Sequence, residues 1–298
     1  MSTPTQPVED AAEARLLAVD EASLRLVDLA LAEDIGPGDW TSRWTVPPRA
    51  RLEGALVAGE RGVVAGVAVA AAVFRRLNPR MEVGPRHADG DEVRAGDVVL
   101  SLRGPARAIL AGERTALDFL RRLSGVATQT RRYVEALADT GAVVLGGGNG
   151  TPGWRVLEAA ACQAGGARAH RLGLFDVVTL RAPHIALVGS VAEAVRRVRD
   201  QNSRGLAVEV EVSDEAQAAE AASAGADTIL LLSADPEAVR AAGRAIQRAR
   251  PRPLLAVAAD VTPKAARALA EAGAQAILVQ ALPQGAPPLP LTLALGTR

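Results

Sequence analysis

At 298 residues, with 49% hydrophobic side chains but only 2% aromatic ones, the chain can bury a large core built mainly from Ala, Val and Leu. Its 34 basic and 34 acidic residues cancel, which argues against a general nucleic-acid surface, and no apolar run approaches the ~20 residues of a membrane span. Cys162 is the only cysteine, so no intrachain disulfide can form, which suits a reducing cytoplasm.

The first residues, MSTPTQPVEDAAEA, are polar and acidic, unlike a secretory signal, and residues 1–21 are expected to form an arm. Residues 22–34 carry leucines at helical spacing and stop at Ile35-Gly36-Pro37-Gly38-Asp39. From Leu52 to Gly104 the pattern changes to short Val/Ala/Leu runs broken by glycine, with a helix expected from Val67 to Arg76 and strands on either side. Ala108 to Ala138 reads as a long helical stretch with a break expected near Ser124-Gly125. Residues 22–125 are thus expected to form an α/β sandwich domain, joined by the C-terminal tail, residues 283–298.

Beyond residue 126 strands and helices alternate. Strands are expected at Val143-Val144, Val177–Leu180, Ala207–Val212, Thr228–Leu232, Leu254–Ala258 and Ala276–Ala281, with helices between the later ones. Asp214, Asp235 and Thr262 stand where N-caps belong, and Gly225 and Gly273 where helices close. Apolar strands alternating with helices pair in parallel, so residues 126–282 are expected to form an α/β barrel with its site at the C-terminal strand ends. Those ends hold Gly146 to Asn149, Arg181 to His184, Glu211, Leu232-Ser233, Ala259-Asp260 and Gln280. Around the first of them a strand runs into glycines, a helix begins near Trp154, and His170, Arg171, Arg181 and His184 follow. This pattern describes a pocket for an anion; the plainer alternative is a βα turn with surface arginines. In β-strand alternation Glu209 and Glu211 share one face, so both are expected to point into the barrel.

Several segments together resemble the quinolinate phosphoribosyltransferases, the carboxylating nicotinate-nucleotide pyrophosphorylases. They are ALAEDIGPGDWTS (Ala30 to Ser42), AGERTALDFLRRLSGVATQT (Ala111 to Thr130), TPGWR (Thr151 to Arg155), GGARAHRLGLFD (Gly165 to Asp176), His184-Ile185, VEVEV (Val208 to Val212) and GADTILL (Gly225 to Leu231). The resemblance implies an N-terminal sandwich, a C-terminal barrel, and a homodimer in which each site borrows residues from its partner. It implies transfer of a phosphoribosyl group from PRPP, bound with magnesium, to the ring nitrogen of quinolinate, with loss of carbon dioxide, in NAD biosynthesis. Carried over by position, Arg114 matches the arginine that reaches the partner's site, and His170 and Arg171 match the pair that binds quinolinate. Arg155 and His184 join these as substrate-binding candidates, while Glu209, Glu211 and Arg181 are the catalytic candidates.

The chain also departs from the family pattern. Asp-Thr-Arg-Lys-Thr is replaced by Gly146 to Gly150, so Gly148 and Asn149 stand for an arginine and a lysine. Lys-Asp-Asn-His has become Arg181-Ala182-Pro183-His184, Asp-Asn has become Leu232-Ser233, and Glu-Ala-Ser-Gly-Gly has become Ala256 to Asp260. A charge-assisted hydrogen bond of the kind these side chains would make to a substrate anion is worth roughly 1.5–3 kcal/mol. Two classes of function therefore stay open: an enzyme of this family, and a pseudoenzyme of the same fold that serves as a binding or regulatory subunit.

Overall fold

The computed structural model describes residues 20–147 and 149–296, so most of the expected N-terminal arm lies outside the described residues. The chain divides into two compact units, one of residues 1–131, 150–166 and 283–298, the other of residues 132–149 and 167–282. The segment 150–166 groups with the first unit.

In the first unit, helix α1 (Glu21–Ile35) is capped by Asp20, which accepts from the Ser23 N–H at 2.7 Å. A short α2 (Trp40–Thr45) follows, capped in the same way by Asp39. Strands β1 (Arg51–Ala58) and β2 (Gly62–Val63) lead to α3 (Val67–Leu77), and β3 (Glu82–Pro85), β4 (Glu92–Val93) and β5 (Val98–Pro105) complete the run. Helix α4 (Ala106–Ala136) then continues without a break.

The second unit opens with β6 (Val143–Gly146), and α5 (Arg155–Ala164) follows as part of the first unit. Next come β7 (Arg168–Ala169), β8 (Val177–Leu180), α6 (Ala182–Val188), α7 (Val191–Gln201), β9 (Ala207–Val212), α8 (Glu215–Ser223) and β10 (Thr228–Leu231). The unit ends with α9 (Pro236–Ala245), β11 (Leu254–Ala258), α10 (Pro263–Glu271) and β12 (Ala276–Leu278). Last, β13 (Leu291–Leu295) pairs antiparallel with β1, giving a four-stranded sheet of order β13-β1-β5-β3 in the first unit.

The second sheet has seven strands in the order β7-β6-β12-β11-β10-β9-β8, all paired in parallel, and forms a curled half-barrel. Strand β7 and helix α6 were not expected from the sequence; both are short and lack a periodic apolar pattern. Along β9 the outer valines Val208, Val210 and Val212 are buried, while Glu209 and Glu211 take the opposite face. The inner face of the sheet is filled by Leu145, Leu230, Ala256, Ala258, Ala276 and Leu278. Asp214, Asp235 and Thr262 each cap a helix by accepting a backbone N–H, and Gly225 and Gly273 take positive φ where α8 and α10 end.

Helix α4 passes through the expected break at Ser124-Gly125, and the packing explains why those residues are there. The Ser124 hydroxyl is buried and lies 3.0 Å from the Ala65 N–H, which donates to it. A Cβ on Gly125 would stand 2.1 Å from the Pro287 carbonyl oxygen, so the glycine serves the close approach of the C-terminal segment rather than a kink. Gly125→Ala is expected to destabilise the protein by about 1–3 kcal/mol through overpacking, although alanine is the better helix former by about 1 kcal/mol. Urea unfolding checks this, and a stabilised variant would contradict it.

Candidate functional site

The C-terminal strand ends of the second unit surround a cavity of about 280 Å³. Its charged lining is Arg171, Arg181, Glu209 and Glu211, with His170 beside them; Thr179, Asn149 and Gln280 add neutral polar groups. Gly147, Leu230 and Leu278 complete the wall. Gly147 holds φ at +105°, which lets the chain leave β6 with no side chain in the way.

The geometry is built outward from Glu209. Its parallel partner across β8 is Thr179, whose hydroxyl donates to Oε1 at 3.1 Å. Its other oxygen, Oε2, lies 3.0 Å from Nε2 of His170, and Glu209 is only 4% exposed. His170 follows β7, and its backbone N–H donates to the Gly146 carbonyl at 3.0 Å, which ties the segment to β6. Past Arg171 the chain turns around Asp176, which accepts from the N–H groups of Leu172 at 2.6 Å and Gly173 at 3.3 Å. Arg181 is the N-cap of α6, which aims its side chain from a strand end. Burial pushes the Glu211 carboxyl above the usual glutamate range and neighbouring Glu209 adds to this, while Arg181, Arg171 and His184 pull it back. The two guanidiniums balance the two glutamates, so the cavity offers fixed cations for an acid without a large excess of positive charge.

Of the eight residues expected at a site, the structure gathers Glu209, Glu211, Arg181, His170 and Arg171 around this cavity. His184 is not in its lining; its Nδ1 accepts the Arg181 N–H at 3.1 Å and caps α6. Arg114 and Arg155 belong to the other unit. Arg114 is 77% exposed and paired with Asp34 at 3.1 Å, and Arg155 begins α5. Leu232 is 44% exposed after β10, Ala256 and Ala258 fall within the apolar inner face, and Asp260 accepts the Ala281 N–H at 2.6 Å. Gly148 lies outside the described residues.

Residues 126–294 match the model of the C-terminal domain of quinolinate phosphoribosyl transferase, and residues 39–124 match that of its N-terminal domain. The chain belongs to the quinolinate phosphoribosyl transferase family. It is 38% identical over 243 residues to a probable nicotinate-nucleotide pyrophosphorylase (carboxylating) of Synechocystis, a match covering 82% of each chain. A similarly named protein of Methanothermobacter thermautotrophicus is 34% identical over 264 residues, with 87% of this chain and 94% of that one covered. Among solved structures, the nicotinate-nucleotide pyrophosphorylase of Francisella tularensis superposes with a TM-score of 0.87 at 28% identity, covering 94% of this chain and 99% of that one.

Thr179 is the site residue that sequence reading passed over. Its signal was there to see, as the single hydroxyl in the otherwise apolar Val177–Leu180 strand.

Because the folded pKa of Glu211 lies above its unfolded value, its contribution to stability is complete below the unfolded pKa and is lost as pH rises through the folded one. Glu211→Gln is therefore expected to melt above the parent at neutral pH and level with it below pH ~4. Thermal melts across that range check it; a less stable variant at pH 7 would reverse the sign.

Proposed function

We propose that the cavity is a pyridine-dicarboxylate site and that the chain acts at the quinolinate end of the reaction for which its relatives are named. In that reaction the ring nitrogen of quinolinate bonds to the ribose C1′ of PRPP as pyrophosphate leaves. Nicotinate mononucleotide then forms, for NAD biosynthesis, as the adjacent carboxylate departs as carbon dioxide and a proton takes its place. The observation that carries this reading is the pair of guanidiniums, Arg171 and Arg181, on one cavity with His170. Two planar forks suit two ring carboxylates. Arginine is a poor proton donor, so the incoming proton falls to the other titratable groups of the lining, Glu211 and His170 among them.

Magnesium would enter on the oxygens of PRPP. Among the described residues no three His, Cys, Asp or Glu side chains gather as a metal site of their own, and magnesium in phosphate complexes needs few protein ligands. The exposed apolar side chains Leu174, Phe175 and Leu187 support a homodimer. A single buried Cys162 suits a cytoplasmic setting.

A second reading has its own observation. By the resemblance, Gly148, Asn149, Leu232 and Ala256 stand for an arginine, a lysine, an aspartate and a glutamate, and Ala258 for a serine; the two alanines are packed in the apolar inner face. In that reading the chain binds the acid but transfers no phosphoribosyl group.

Calorimetry and product assays separate the two. Quinolinate is expected to bind without PRPP, and Arg171→Ala to weaken it by about 1.5–3 kcal/mol, the worth of a charge-assisted hydrogen bond. The first reading expects nicotinate mononucleotide from the unmodified protein. The second expects negligible product at saturating PRPP and magnesium, with part of the PRPP affinity recovered when Gly148→Arg, Asn149→Lys and Leu232→Asp are combined. Tight PRPP binding with no quinolinate binding would overturn the acid-site assignment.

A further inference from the structure

The two glutamates of β9 look equivalent in sequence but hold different positions in the cavity. Glu209 is 4% exposed, and both of its oxygens are engaged inside the protein, Oε1 by the Thr179 hydroxyl at 3.1 Å and Oε2 by His170 Nε2 at 3.0 Å. Glu211, one pleat on, is half-buried and accepts no hydrogen bond from the described residues. A buried carboxylate with each oxygen already engaged is less available to a ligand than a half-buried one without donors.

We propose that Glu209 is a positioning residue that acts through His170, with Thr179 as its anchor, and that Glu211 is the member of the pair that meets the ligand. This rests on the acid-site reading of the cavity. The physical route runs across three strands. Parallel register sets Thr179 beside Glu209, so the hydroxyl fixes one carboxylate oxygen and thereby the rotamer. The other oxygen then accepts from Nε2–H, which selects one tautomer and one ring orientation of His170. The His170 backbone is held separately by the Gly146 carbonyl, so the residue is fixed at both ends. With Nε2–H donated to Glu209, Nδ1 is the ring nitrogen left for a ligand; it is an acceptor in the neutral ring and donates to a carboxylate only when the ring is protonated on both nitrogens. Arg171, the next residue, takes its place from the same tethered segment.

The test combines ring spectra with a thermodynamic cycle on the full-length protein. The chain has three histidines, so ¹⁵N labelling of their rings resolves each one. In the parent, His170 is expected to carry its proton on Nε2, and in Glu209→Gln that preference should fade without loss of fold. Thr179→Val should weaken it less, because the charge stays in place. Quinolinate affinity is expected to fall on the order of tenfold in Glu209→Gln and by a smaller factor in Thr179→Val. In a His170→Ala background, Glu209→Gln should add less than about twofold, since a residue acting through another is not additive with it. An equal loss in both backgrounds would place Glu209 on the ligand and overturn the proposal. So would an unchanged His170 tautomer in Glu209→Gln. If the parent binds no quinolinate, the acid-site reading falls; the ring spectra, recorded without ligand, still decide whether Glu209 positions His170.

Discussion

The structure around the cavity depends on one buried carboxylate. Glu209 sits in the half-barrel nearly without solvent, and an unpaired ion there would be untenable. It is tolerated because Thr179 and His170 each use one oxygen. Removing one partner of such a pair costs roughly 3–5 kcal/mol, far more than the same change at a surface. The neighbours are constrained as well. His170 must sit where Nε2 reaches Glu209, Arg171 follows from the same segment, and Glu211 is committed to the cavity by the two-residue period of β9.

Around this polar group the half-barrel is filled economically. Its inner face is leucine and alanine, and small residues let seven short strands pack over helices in a chain with very few aromatic rings. That economy also shapes the site. Ala256 and Ala258 belong to this apolar layer, and Leu230 and Leu278 carry it into the cavity wall. The cavity is therefore polar on the side of β7, β8 and β9 and apolar or neutral on the side of β10, β11 and β12. A ligand with its charge concentrated at one end matches this asymmetry better than one charged throughout.

Much of this was legible in the chain. The parallel sheet followed from apolar strands alternating with capped helices, and the shared face of Glu209 and Glu211 followed from alternation alone. Other features depend on tertiary contact. Gly125 reads as a helix break because glycine usually marks one, while its real reason is the Pro287 carbonyl from a distant part of the chain. His184 also caps a helix, its Nδ1 accepting the Arg181 N–H, a contact that its place in the family pattern does not announce. Thr179 became meaningful only when the register set it beside Glu209.

The most direct test is a crystal structure of the protein with quinolinate bound. The two ring carboxylates are expected on Arg171 and Arg181, with Glu211 facing the ligand and Glu209 still held between Thr179 and His170. A Glu209 swung out to the ligand, or a ring bound away from both arginines, would contradict the central role given to that buried carboxylate.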